Sequence, residues 1–407
     1  MRFLHTSDWH LGQNLLSRSR QSEHISFFNW LFDQIEQHKI DALLVAGDIF
    51  DCGAPPGYAQ RAYYDFLSRL ISSSCSQAFI IGGNHDSPTF LEASRRILDH
   101  LQIHVIGRAC ESLDDMIFEL KGKSEQVEAL LCAVPFLRDR EVRKSLAGES
   151  SEEKIQALNL GIAELYKNIA FKARSMAEAE GKKLPVIGMG HLFVSGCSLS
   201  ESVREFSAGN LTAVHSDDFN DLFDYFALGH LHIGQKVAGK NNIRYSGSPI
   251  PMSFDECTRE KIILLGDTDD PENLQEIKVP VFQEMRLIRG DLSAIIAELA
   301  ELKKEATGSI WVEVQCHEER EIPLLSQTIH QVVEESNIEV LAVRHIRKQK
   351  ATLEGSALSS LNLKELDPVE VFARRLDSET DYSEEEIKEL KHAFNTILEE
   401  IHQGQDA

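Results

Sequence analysis

Five loops constrain this chain more than any other feature. Each follows a short apolar run readable as a buried strand, and each carries residues of metal-ligating type. They are Asp8-x-His10, Gly47-Asp48-x-x-Asp51, Gly83-Asn84-His85-Asp86, Gly190-His191 and Gly229-His230-x-His232. The apolar runs are Arg2–Thr6, Ala42–Ala46, Ala78–Ile81, Leu184–Met189 and Tyr225–Leu228, while helical periodicity fills Glu23–His38, Gly57–Ser72, Thr89–Leu101 and Glu152–Ala179. Strands alternating with helices predict an α/β fold, and later hairpin-like strands predict that its sheets are mixed.

Any one loop alone is weak evidence, since a lone Gly-His is more often a turn beside a solvated or core histidine. The five together carry the argument, because loops at the carboxyl ends of strands in an open α/β sheet converge on one crevice. Carboxylate, imidazole and amide oxygen gathered there make a mixed N/O site suited to Mn, Fe or Zn, and the absence of cysteine disfavours structural zinc. Asp8, His10, Asp48, Asn84, His191, His230 and His232 are seven candidate ligands, too many for one ion. Two ions about 3.5–4 Å apart would use them naturally, with Asp48 as the bridge, and such a pair suits phosphoester hydrolysis. His85, one residue beyond a candidate ligand, is placed to stabilise the transition state or protonate the leaving oxygen. The carboxylate of Asp51, or failing that of Asp86, is expected to orient it. For either aspartate the plainer alternative is loop capping.

Beyond Val279-Pro280 the pattern becomes β-α-β-α-β: strand Phe282–Ile288, helix Asp291–Glu305, strand Ser309–Cys316, helix Pro323–Glu335 and strand Ile338–Ile346. The expected division is therefore residues 1–280 as the catalytic domain and 281–348 as a small second domain. A polar linker over 349–366 and a helix pair over 367–407 complete it. Ile387, Leu390, Phe394, Ile397, Leu398 and Ile401 give the last helix one apolar face that needs a cover. The face Tyr58, Tyr63, Phe66, Leu67 and Leu70 reads as core, with a dimer interface as the alternative.

Net charge is −23, which by itself disfavours a polyanionic partner. Residues 351–407, with 5 basic and 14 acidic side chains, account for −9 of it, and several further acids belong to a site expected to carry two divalent cations. The seven cysteines are scattered without a C-x-x-C pair, as in a reduced compartment. No signal peptide opens the chain and no run approaches the roughly 18 apolar residues of a bilayer span, so a cytoplasmic protein without a membrane partner is expected. Nothing fits a GxxxxGK[ST] loop, so no nucleotide is expected on this chain.

The five loops resemble the D-x-H, GD, GNH[DE], GH and GHxH blocks of the calcineurin-like metallophosphoesterase superfamily. Narrower likeness lies in Leu4–Gln13, Val45–Asp51, Gly247–Glu256 and Pro368–Leu376, which resemble the bacterial SbcD nucleases. The resemblance implies a four-layer α-β-β-α sandwich, a small α/β domain capping a DNA cleft, and a C-terminal helix pair. It implies two Mn²⁺ ions, one on Asp8, His10, Asp48 and His232 and the other on Asp48, Asn84, His191 and His230, with His85 catalytic. It also implies a DNA exonuclease and endonuclease acting in repair, recombination and replication. The chain would be a homodimer within a heterotetramer, its C-terminal helices gripping the coiled-coil base of an SbcC-type, SMC-like ATPase. Relatives outside bacteria commonly carry His where this chain has Asp51, so that role transfers least directly. Dimerisation and the ATPase would supply much of the grip on DNA that the acidic chain lacks. Two other functions fit the loops: a phosphomonoesterase or protein phosphatase of the same superfamily, and a non-catalytic scaffold, which the complete ligand set disfavours.

Overall fold

The computed structural model describes residues 1–143, 149–179, 183–198, 213–318 and 323–346, with Leu390 and Phe394 besides. Met1–Arg347 form one compact unit and Lys348–Ala407 a second. Two six-stranded mixed sheets dominate the first. One runs, in spatial order, Asp270–Lys278, Ile262–Asp267, Arg2–Thr6, Ala42–Ala46, Gln77–Ile81 and Ile103–Ile106. The other runs Gln235–Lys236, Ile243–Tyr245, Tyr225–Gly229, Val186–His191, Val127–Ala133 and Ile117–Lys121. The central strands of each are parallel, and antiparallel pairs flank them.

Side-chain alternation along the central strands builds the layers. Phe3, Ala42, Leu44, Ala46 and Phe79 join one core with Leu131, Ile187 and Leu228 of the other sheet, whereas Leu4, Leu43, Val45 and Ile80 join Phe27, Leu31, Phe66 and Leu67 of the helices Gln21–His38 and Gly57–Leu70. Ile162, Tyr166, Ile169 and Ala173 of helix Ser151–Ala179 extend the inter-sheet core on the far side. The layers are therefore helix, sheet, sheet, helix. Tyr63, Phe66, Leu67 and Leu70 are buried as expected of core, with Tyr58 half-buried.

The helix anticipated over Thr89–Leu101 is broken into Pro88–Leu91, a 3₁₀ turn Glu92–Ser94 and Arg95–Asp99. Tertiary contacts override its periodicity: Glu92 accepts the Gly107 N–H at 3.0 Å and pairs with Arg108 at 3.4 Å.

Residues 281–346 contain three parallel strands, Glu284–Gly290, Ile310–Cys316 and Ile338–His345, backed by helices Leu292–Glu305 and Leu325–Val333 around their own core. Asp291 caps the first helix, its Oδ1 accepting the Ala294 N–H at 2.8 Å. This small sheet packs on the larger domain: Met285 and Trp311 are buried with Leu15 and Phe254, and Arg18 pairs with Glu339 at 2.6 Å. The anticipated linker and C-terminal helix pair lie outside the described residues apart from Leu390 and Phe394. Among the described residues, no helix is long and apolar enough to cross a membrane.

Candidate metal centre

Parallel pairing brings the carboxyl ends of five strands to one edge of the two sheets. Asp8 and His10 follow Arg2–Thr6, Asp48 follows Ala42–Ala46, and Asn84 and His85 follow Gln77–Ile81. His191 ends Val186–His191, and His230 and His232 follow Tyr225–Gly229. Backbone bonds lock neighbouring loops together: Asp8 N–H donates to the Gly47 carbonyl at 2.9 Å and His10 N–H to that of Asp48 at 3.0 Å. A bond from His230 N–H to Asp8 Oδ1, 3.0 Å, joins the loops of the two sheets.

Among the described residues, Asp8, His10 and His232 form one group able to hold an ion, and Asp48, His191 and His230 another. Asp48 lies between the groups. Its Oδ2 is 3.6 Å from His10 Nε2 and 3.3 Å from His191 Nε2. The side-chain oxygen of Asn84 is 3.0 Å from both His191 Nε2 and His230 Nδ1. The structure thus brings all seven candidate ligands into one cluster.

Backbone conformation is strained at this cluster. Asp8, His10, Asp48 and His230 all have positive φ, at 53°, 46°, 49° and 107°, a region that side chains bearing a Cβ adopt at a cost. Gly83 is required by proximity: a Cβ there would overlap the Asp48 carboxylate.

The donor set fits divalent cations. His191 Nδ1–H donates to the Ala46 carbonyl at 2.9 Å, so its Nε2 presents a lone pair to two oxygens, which only a proton or a metal ion can reconcile. His10 has both ring nitrogens buried without a well-formed hydrogen bond, facing carboxylates on either side. Without a cation, protons fill that demand. Burial opposes charge on His10 and His191, but the aspartates around them push both up to about 9. Burial raises Asp8, whereas His191 and His10 overcome burial to hold Asp48 well below the usual carboxylate range. Burial and the neighbouring His191 push His230 down to about 3.

His85 is exposed at the rim, its ring 4.9 Å from that of His10. Here the expectation for Asp51 requires correction. His85 Nδ1–H donates to the backbone carbonyl of Asp51 at 2.9 Å, while the Asp51 carboxylate turns to His10 Nδ1 at 3.2 Å. Asp51 therefore contacts both histidines, and its charge is spent on His10. His10, Asp51 and His85 form a third group of ligand-type atoms beside the other two. Asp51 thus orients His85 through its backbone carbonyl and not, as expected, through its carboxylate, whereas Asp86 makes no contact that would orient it. The buried Asp86 carboxylate accepts the N–H groups of Ile49, Phe50 and Gly83 at 3.1, 2.9 and 2.8 Å, which is loop capping.

Two contacts escaped sequence reasoning. Arg138 is half-buried: it donates to the Asp86 carbonyl at 3.3 Å and keeps its Nη1 buried without a hydrogen-bond partner. Glu256 Oε1 lies 3.3 Å from His232 Nδ1. No spacing links residues 232 and 256, and the only signal for Glu256 was its place in the Gly247–Glu256 segment.

Known proteins agree with this architecture. The calcineurin-like phosphoesterase family matches residues 1–234, and the family described as type 5 capsule protein repressor C-terminal domain matches residues 281–380. The SbcD subunit of the SbcCD nuclease of Escherichia coli (strain K12) is 37% identical over 401 residues, 98% of each chain. Proteins of the same name from Rhodobacter capsulatus and Bacillus subtilis are 35% and 30% identical, over 66% and 67% of each chain respectively. With one relative aligned along almost its whole length and a family match across both sheets' metal loops, the chain belongs to the SbcD family of calcineurin-like phosphoesterases.

Proposed function

We propose that this chain is the nuclease subunit of an SbcCD-type complex, a Mn²⁺-dependent hydrolase of DNA phosphodiester bonds with double-strand exonuclease and single-strand or hairpin endonuclease activity. The observation that carries this reading is Asp48 Oδ2 set between His10 Nε2 at 3.6 Å and His191 Nε2 at 3.3 Å, the position of a bridging carboxylate. Asp8, His10, Asp48 and His232 would hold one ion, and Asp48, Asn84, His191 and His230 the other. When bound, the ions would supply an acidified water as nucleophile and neutralise charge on the phosphate oxygens. The Asp51 carboxylate, 3.2 Å from His10 Nδ1, would favour the proton on that nitrogen and leave Nε2 free for an ion. His85, with Nδ1–H held by the Asp51 carbonyl, has Nε2 left to exchange a proton with the leaving oxygen. Residues 281–348 would cap the DNA cleft. The helix pair over 367–407 would bind the SMC-like ATPase, with the chain acting as a homodimer in a heterotetramer in the cytoplasm.

Ion binding in this site has a predictable pH dependence. His10 and His191 are pushed up to about 9, and a metal takes only an unprotonated nitrogen. Mn²⁺ affinity is therefore expected to rise from pH 7 to 8.5, by up to roughly tenfold per unit for each proton displaced. The metal-free fold should change in the opposite sense. A histidine raised in the folded state contributes stability that is complete below about 6.5 and lost as pH climbs through its folded value. Calorimetric Mn²⁺ titrations and thermal unfolding of chelator-treated protein at both pH values check the two signs, and affinity that falls with pH would contradict them.

The activity itself is tested by offering duplex DNA ends, hairpin DNA and a small phosphomonoester to the chain with Mn²⁺, alone and with the ATPase. DNA cleavage is the expected result. Turnover of the monoester alone would replace the nuclease reading with that of a phosphatase.

A further inference from the structure

We propose that Glu256 and Lys261 are a buried positioning pair for His232, setting which of its ring nitrogens is free to bind metal. The inference rests on His232 being a ligand, as proposed above. Glu256 is fully buried and Lys261 is 7% exposed. Their Oε2 and Nζ lie 2.6 Å apart, and Oε2 also accepts the Met252 N–H at 3.1 Å. Lys261 Nζ further donates to the Ser248 hydroxyl and to the main-chain carbonyl of His232, both at 2.9 Å. The other Glu256 oxygen, Oε1, and His232 Nδ1 are both buried without a hydrogen-bond partner and stand 3.3 Å apart. The lysine thus holds the backbone of His232 and the glutamate faces its ring.

Stability alone is a poor reason for such a pair. A buried ion pair often does no better than apolar residues of the same volume, because desolvation offsets the attraction. Convergence of both charges on one histidine supplies the missing reason. A carboxylate against Nδ1 keeps the proton on that nitrogen, so Nε2 carries the lone pair, and the carboxylate makes the ring a stronger donor. The His232 ring is edge-on to that of His10, with centroids 5.0 Å apart, so the two rings meet where one ion would sit. The segment bearing Glu256 is itself clamped. Phe254, in the same 3₁₀ turn, is buried with Leu15, Met285 and Trp311 between the large domain and the small sheet. Asp51 on His10 and Glu256 on His232 therefore provide the same support to two ligands of one ion.

Glu256→Gln keeps the shape of the side chain and removes its charge. In the full-length protein, Mn²⁺ titration followed by electron paramagnetic resonance should find one ion bound as in wild type and the other weakened roughly 10–100-fold. The coupled two-ion signal should give way to a single-ion signal at low Mn²⁺, and nuclease activity should return when Mn²⁺ is raised by the same factor. A merely structural role would not spare one site. Glu256→Gln combined with Lys261→Met removes the leftover buried ammonium and should unfold at a higher temperature than Glu256→Gln, without regaining the lost affinity. Should the single variant fail to fold, the double variant decides. Wild-type affinity at both sites in a folded variant, or equal loss at both, overturns the positioning role. A wild-type chain that binds no Mn²⁺ overturns the metal reading itself, and this inference with it.

Discussion

Asp48→Asn is expected to yield a folded protein that holds neither ion tightly and cleaves DNA at least about 10⁴-fold more slowly, a loss of roughly 5–6 kcal/mol in transition-state stabilisation. The argument is geometric. One oxygen of this carboxylate faces a histidine from each proposed ion group, so neutralising it weakens both sites at once. No other described residue in the cluster occupies that position. The fold should survive, because Asn still offers Oδ1 to the His85 N–H, a bond of 3.0 Å in the present structure. Removing the charge also removes part of what holds protons on His10 and His191, so the metal-free variant should lose much of the pH dependence of its unfolding. Metal analysis after dialysis and thermal unfolding with and without chelator provide the check. Binding at a hundredfold excess over Kd adds about 2.7 kcal/mol per ion, so chelator should lower the wild-type transition and leave that of the variant nearly unmoved. Two ions per chain and near-normal cleavage in Asp48→Asn would sink the bridging role.

The same cluster marks how far sequence alone reaches. The candidate ligand loops are legible because they combine three local signals: an apolar run, a glycine, and a side chain of ligating type within four residues. Gly83 illustrates why the glycine belongs to the signal, since the Asp48 carboxylate occupies the space its side chain would need. Central strands such as Ala42–Ala46 are legible because both faces are buried. Edge strands are not: Asp270–Lys278 reads as polar because it carries exposed or half-exposed side chains, and only pairing with Ile262–Asp267 makes it a strand. Contacts between distant loops are equally hidden. Nothing in the spacing of Asp51 separates its carbonyl from its carboxylate, yet they serve different histidines. Glu256 reaches His232 only because an intervening turn and the small sheet fold it back. Local pattern thus picked out the loops that meet in the cluster, whereas the supporting contacts depend on tertiary geometry.

His85→Ala should separate chemistry from metal binding. Its ring is tied to a backbone carbonyl and exposed at the rim, and its one bond to Asp48 is made by the main-chain N–H, which alanine retains. Two ions per chain should therefore remain, with unchanged affinity. Cleavage of DNA should fall roughly 10²–10⁴-fold, the range for loss of a positioned proton donor. Because Nδ1–H is committed to an acceptor that cannot release it, the transferable proton must sit on Nε2. That makes the size of the defect depend on the leaving group. The nitrophenolate of a nitrophenyl phosphodiester departs without needing a proton, so the variant should hydrolyse that substrate with a much smaller loss than it suffers on DNA. Equal losses on both substrates would point to transition-state charge stabilisation in place of proton transfer. Release of the ions would make His85 a ligand, and the separation of roles drawn from its bond to Asp51 would fail.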